Sequence, residues 1–238
     1  MPIFWSFRNF DTRIGELILV DPLPYLGEQE REIYQKLKFH KRKREWLGAR
    51  LLAKDLIRAA DKRLGDKELH EIEVLNATSG APALVVAGEE GNPGKVSLSH
   101  SNGVALCAFS PDDIQFGIDL ELVESRAKEF VEDYFTKGEL DQVSKLPIDA
   151  QNLFITVIWS GKESVLKALS SGLRVDTRSI EVILPKFTFQ TNAWNNLVLR
   201  SSLFENNSLS LVWRGEGEFV ITACIPHNYI NGLIRIEI

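Results

Sequence analysis

Two acidic residues in one short segment are the first candidates for chemistry. In Phe116-Gly117-Ile118-Asp119-Leu120-Glu121-Leu122, apolar residues alternate with Gly117, Asp119 and Glu121, the period of a β-strand. If the apolar set faces a core, Asp119 and Glu121 project together from the other face, about 6–7 Å apart. Paired carboxylates of this kind offer hard oxygen ligands, suited to magnesium or calcium rather than zinc. An exposed strand face carrying two acids gives the same pattern. A second group is Trp159-Ser160-Gly161-Lys162-Glu163-Ser164-Val165-Leu166-Lys167. On a helix, Ile158, Trp159, Val165, Leu166 and Leu169 form an apolar stripe. Lys162 interrupts that stripe, which suits a lysine aimed into a cleft at an anionic ligand. Glu163 and Lys167 are four apart and so are neighbours, which an ordinary helical ion pair also explains. A third group, Ser99-His100-Ser101, follows an apolar alternation and reads as the turn after a strand. Hydroxyls, amides and an imidazole there could bind phosphate oxygens, or the histidine could satisfy a local backbone contact. A fourth is the run Lys36, Lys38, His40, Lys41, Arg42, Lys43 and Arg44, with Arg50 beyond it. It is either a solvated helix face or a local site for an anion.

The elements that must position these residues come in two sets. Trp46-Leu47-Gly48 with Lys54 and Leu56 is matched by Trp159-Ser160-Gly161 with Lys167 and Leu169. Ile72-Glu73-Val74 is matched by Ile180-Glu181-Val182, and the apolar runs closing at Pro111 and Pro226 are matched to each other. Three matches in one order and at nearly constant offset indicate a duplicated unit of a helix followed by strands. The expected architecture is α+β: two similar halves, residues 1–112 and 113–238, related by a pseudo-twofold axis. A cleft between such halves would hold the active site. Gly88 to Gly94 reads as a surface turn. The asparagine-rich stretch 192–207 reads as loop with short strands.

Bulk properties set bounds. The chain has 238 residues, 44% hydrophobic and 26% charged, which is ordinary globular composition. A formal charge of −5 argues against a general nucleic-acid binder, which needs a broad cationic surface. Cys107 and Cys224 each sit in an apolar run and read as buried strand residues in a reducing compartment. No signal peptide or membrane-length apolar run is visible, so a cytoplasmic protein is expected.

Taken together, Ser97-Leu98-Ser99-His100-Ser101, then Gly117-Ile118-Asp119-Leu120-Glu121, then the Trp159-to-Lys167 segment resemble the 4′-phosphopantetheinyl transferase superfamily, in its surfactin-synthetase-activating type. Arg44-Glu45-Trp46-Leu47-Gly48-Ala49-Arg50 resembles the family's early arginine-bearing helix. Tyr134-Phe135-Thr136-Lys137-Gly138-Glu139 resembles its aromatic-Phe-Ser/Thr-x-x-Glu segment.

The resemblance implies transfer of phosphopantetheine from coenzyme A to a serine of an apo acyl or peptidyl carrier protein, with 3′,5′-ADP leaving. It implies that Asp119, Glu121 and Glu163 bind magnesium, with manganese as the alternative. Glu163 would take the serine proton, Lys167 would stabilise phosphate charge, and Ser99 and His100 would contact the pyrophosphate. Arg44, with Lys43 and Arg50, would lie near the 3′-phosphate, and Lys162 matches the family's lysine before the metal-binding glutamate. It further implies a monomeric pseudo-dimer and an acidic carrier, whose docking surface is expected on Val123 to Phe135 using Arg126 and Lys128 beside Phe130 and Val131; a helix merely packing on the core explains the same pattern. Two departures stand out: Gly80-Ala81-Pro82 lacks the family's lysine, and the glycine-rich stretch is thinned to Gly172. The rival readings are a non-catalytic homologue binding coenzyme A or carrier, and a different magnesium-dependent phosphoryl-transfer enzyme. No Gly-x-x-x-x-Gly-Lys-Ser/Thr loop supports the latter.

Overall fold

The computed structural model describes residues 2–10, 21–185, 192–204 and 208–238. In chain order the strands are β1 Ile3–Asn9, β2 Ile72–Asn76, β3 Pro82–Val86, β4 Lys95–Ser101, β5 Val104–Ser110 and β6 Gly117–Leu122. They continue with β7 Ile180–Ile183, β8 Asn195–Ser201, β9 Leu209–Glu216, β10 Phe219–Pro226 and β11 Leu233–Arg235. The α-helices are α1 Glu28–Lys36, α2 His40–Ala60, α3 Lys128–Tyr134, α4 Lys137–Val143 and α5 Ile148–Ala168. The protein is α+β, as expected.

Two compact units divide the chain: Met1–Ile114 with Asn231–Ile238, and Gln115–Ile230. The expected division placed all of 113–238 together. It differs because β11 pairs in parallel with β1, which returns the last residues to the first unit.

The first unit has a sheet in the order β11-β1-β5-β4 and a separate hairpin β2-β3. Ala105, Cys107 and Phe109 of β5 form one core with Leu47, Leu52, Leu56 and Ile57 of α2. The second unit has a sheet in the order β6-β10-β9-β8-β7, with Val220 and Cys224 of β10 packed with Val157, Ile158 and Val165 of α5. In each unit a 21-residue helix thus lies on a strand flanked by two antiparallel neighbours. Both cysteines are buried, as expected, and burial pushes their thiols above the usual range. Strand β8 occupies part of the asparagine-rich stretch, of which residues 205–207 lie outside the described residues.

The duplication is visible, but its helical register differs from the one set by the tryptophans. Lys54 and Lys162 occupy the same position counted from the first residue of their helices. Lys54 is fully buried against Glu30, and Lys162 against Glu139 at 2.9 Å. Glu30 accepts from Val74 N at 2.9 Å, and Glu139 from Val182 N at 2.8 Å. The lysine equivalent to Lys54 is therefore Lys162, not Lys167. Apolar stripes on long helices align in more than one register, whereas a shared polar partner aligns in one.

Candidate active site

The site is built on β6 and α5 of the second unit. Strand period two puts Gly117, Asp119 and Glu121 on the face that α5 covers. Thr222, paired with Asp119 across the sheet, hydrogen-bonds Ser160 of the helix at 2.9 Å. The acids were expected on the face away from the core. Instead Ile118 and Leu120 are buried as well, so β6 is covered on both faces and Asp119 is only 3% exposed.

Gly117 explains how close the helix comes. A Cβ there would lie 2.1 Å from Ser164 O and 2.8 Å from Lys167 Cβ. With no side chain at Gly117, the row Trp159, Glu163, Lys167, spaced four apart along α5, reaches the strand. Lys167 Nζ donates to Asp119 Oδ1 at 2.6 Å, and Trp159 Nε1 to Glu121 Oε1 at 3.1 Å. Arg126 Nη2 donates to the other Glu121 oxygen at 2.8 Å.

Between those contacts lies Glu163, whose Oε1 is buried with no hydrogen-bond partner among the described residues. Burial, then the charge of Asp119, push its carboxyl up to about 7, with Lys167 opposing and Glu121 adding. Glu121 is raised too, by burial and then Asp119, against the pull of Arg126 and Trp159. Half-buried carboxyls raised by burial and by a neighbouring carboxylate have the electrostatic signature of a cation site or a catalytic acid–base.

The donor chemistry fits a hard divalent cation: carboxylate oxygens only, one of them buried and unsatisfied. As the side chains stand, no three Asp, Glu, His or Cys among the described residues are drawn together as metal ligands. The chain's own cations hold them instead, Lys167 on Asp119 and Arg126 on Glu121.

A family model described as the 4′-phosphopantetheinyl transferase superfamily matches residues 115–224, which include all four of these groups and nearly the whole second unit. Residues 115–224 belong to the 4′-phosphopantetheinyl transferase superfamily. Among curated relatives, 4′-phosphopantetheinyl transferase Sfp of Bacillus subtilis (strain 168) is 32% identical over 88 residues, 37% of this chain and 38% of its own. The 4′-phosphopantetheinyl transferase ffp of Bacillus subtilis matches to the same extent. The match thus spans well under half the length of these relatives. A holo-(acyl-carrier-protein) synthase from Bacillus anthracis str. Ames, solved in complex with CoA (3′,5′-ADP), is 26% identical. It covers 45% of this chain and 92% of its own with a TM-score of 0.38, too low for the overlap itself to carry weight.

Within the matched segment, Lys162 is a correction. It was expected to face a cleft and bind an anion, but it is 0% exposed. Its ammonium donates to Tyr134 O, Thr177 O and Ile180 O at 2.8–3.1 Å and pairs with Glu139. Every donor is satisfied inside the fold. Burial lowers its pKa and raises that of Glu139, each opposed by the other's charge. Glu139, which the resemblance marked without a role, begins α4 and holds Lys162. Arg126, assigned to a carrier surface, is turned onto Glu121 and Glu124. Phe130 packs on Tyr134 and Trp159.

The remaining candidates lie in the first unit. Arg44 is exposed, and Lys43 lies 5.0 Å over the Tyr34 ring. Arg50 is 7% exposed, stacked 4.0 Å from the Trp46 ring and donating to Trp46 O, so it is an interior group rather than one presented to a ligand. Burial lowers its guanidinium to about 10. Ser99 and His100 sit within β4 rather than in the turn, which is Asn102-Gly103. As strand neighbours they face opposite ways, Ser99 buried and His100 exposed. No helix among the described residues is long and apolar enough to cross a membrane.

Proposed function

We propose that the chain transfers the 4′-phosphopantetheine group of coenzyme A to a serine of an apo acyl or peptidyl carrier protein, releasing 3′,5′-ADP. The observation that carries this reading is the juxtaposition of Asp119, Glu121, Glu163 and Lys167, with Glu163 Oε1 buried and unsatisfied, inside the family-matched segment. A serine hydroxyl needs a base to become a nucleophile at neutral pH, and a base is most effective with a pKa near the working pH. Glu163 accepts the hydroxyl proton as the serine oxygen bonds to the phosphorus bearing the pantetheine. The bond from that phosphorus to 3′,5′-ADP breaks. Lys167 offsets negative charge on the phosphates. Asp119, Glu121 and Glu163 would hold magnesium, with manganese as the alternative. A metal held there would supply charge neutralisation and Lewis-acid polarisation for the pyrophosphate.

Loading requires Lys167 to leave Asp119, or Arg126 to leave Glu121, so that the carboxylates can converge. Arg44, Lys43, Ser99 and His100 are assigned to the coenzyme A phosphates on the resemblance alone. We place the reaction in the cytoplasm and give the protein no nucleic-acid or membrane partner, with the monomer as its working form.

The test is intact-mass spectrometry of apo carrier proteins incubated with the protein, coenzyme A and magnesium. A gain of one phosphopantetheine, abolished by EDTA, is the expected result. Binding of coenzyme A with no gain on any carrier would instead identify a non-catalytic binder.

A further inference from the structure

The first unit carries its own version of the place where the acids sit. Strand β1 lies beside β5 as β6 lies beside β10, and in each unit the long helix packs on that pair. Ser6 pairs with Cys107 and Arg8 with Ala105, as Asp119 pairs with Thr222 and Glu121 with Val220. Asp55 follows Lys54 as Glu163 follows Lys162. The counterparts of Asp119, Glu121 and Glu163 are therefore Ser6, Arg8 and Asp55, and that of Lys167 is Ala59.

The charge at this place is reversed. Arg8 Nη2 pairs with Asp55 Oδ2 at 2.9 Å. Arg8 Nε is buried without a hydrogen-bond partner among the described residues. One turn beyond Asp55, Arg58 reaches the same groove, with its Nε donating to Gly65 O at 3.3 Å. Arg8, Asp55, Arg58, Ala59, Gly65 and Ile238 line a groove of about 440 Å³ that opens to solvent. Two guanidiniums, always charged and built to bind oxyanions with two parallel hydrogen bonds, meet one acidic side chain. The small residues Ala59 and Gly65 leave the space between them open.

We infer that this groove binds a phosphate group, free or as a phosphomonoester, through Arg8 and Arg58, with the Asp55 carboxylate competing with the ligand for Arg8. The duplicated frame thus presents carboxylates in one unit and guanidiniums in the other. The inference stands apart from the transferase reading.

The test is an amide NMR titration of the full chain with inorganic phosphate at constant ionic strength, following Ala59 and Gly65. Saturable shifts at both are expected. Arg58→Gln, off the buried core, should weaken binding at least about tenfold, as loss of a charge-assisted contact does. Asp55→Asn should tighten it, because a carboxylate facing the ligand is removed. If Arg8→Gln does not fold, Arg58→Gln and Asp55→Asn still decide. A repeat with glycerol phosphate separates the sources: tighter binding identifies an ester as the natural ligand, equal binding identifies free phosphate. Shifts confined to residues 38–44, shifts matched by chloride, or weaker binding in Asp55→Asn would overturn the proposal. Failure here leaves carrier modification untouched, and a failed carrier assay leaves the groove untouched.

Discussion

In both units a long helix carries a lysine at one position, buried against a glutamate that begins a shorter helix. One residue further along, the units part. Glu163 faces two other carboxylates and one lysine, with an oxygen unsatisfied, whereas Asp55 is answered by Arg8. The lysine–glutamate pair belongs to the frame in both units, and on the proposed function the next residue serves the chemistry only in the second.

The sharpest test of that division is to neutralise the unsatisfied acid. Glu163→Gln should lower carrier modification by about 10²–10⁴-fold, the usual contribution of a general base, measured by intact mass over time. The same change at the counterpart, Asp55→Asn, should leave the rate near wild type. Equal losses would mean that the two positions are not divided between chemistry and frame.

The frame pairs should fail by unfolding. Lys162→Met and Lys54→Met should each destabilise by about 3–5 kcal/mol in urea unfolding, because each strands a buried carboxylate. Adding Glu139→Gln to Lys162→Met relieves the stranded charge only in part, since Glu139 also accepts from Val182 N and Thr136 N. If Lys162→Met were instead stable and defective only in coenzyme A binding, the lysine would be a ligand contact after all.

Glu163 also gives the second unit a pH dependence. Its carboxyl is raised from 4.5 to about 7, so between those values the folded state binds more protons than the unfolded one. Stability of the metal-free protein should then fall as pH rises from about 4.5 to 7, by about 1–3 kcal/mol after allowing for its partial exposure. Glu163→Gln should remove that fall. Saturating magnesium should flatten it as well, since a cation among the carboxylates favours their charged forms. A slope unchanged by magnesium would count against Asp119, Glu121 and Glu163 as ligands.

Much of this was legible from residue order. The strand through Asp119 and Glu121, the helix through Glu163 and Lys167, and the duplication all follow from periodicity and spacing. Lys162 misled because a lysine in an apolar stripe has two outcomes, a cleft or an internal partner. The partner, Glu139, lies in another helix and shows no local pattern linking it to Lys162. Arg126 and Trp159 were visible as residues, but the grip of Trp159 on Glu121 depends on β6 being covered by α5. That covering depends on Gly117, whose missing side chain reads in sequence only as part of a motif. The return of β11 to the first unit is a long-range pairing, which strand alternation cannot assign.

The finest contrast lies where the short helices begin. Glu139 N donates to the Thr136 hydroxyl at 3.2 Å, an ordinary N-cap. In the first unit the N-cap is Gly27, and Glu30 N donates instead to Glu73 Oε1 at 3.0 Å. A Cβ at Gly27 would lie 2.3 Å from Glu73 Cγ, so the glutamate from β2 occupies the space a capping side chain would need. Thr136→Ala and Glu73→Ala should therefore each cost about 1 kcal/mol by urea unfolding, the usual loss of one cap. Gly27→Thr alone should destabilise, because it collides with Glu73. In the Glu73→Ala background the same threonine should restore most of the loss, since it then has both the space and the amide to accept from. Restoration would mean that the two units share one capping site, filled by the N-cap's own hydroxyl in one and by a strand glutamate in the other. No restoration would mean that Glu73 acts mainly through its charge near Lys54, on which it also bears.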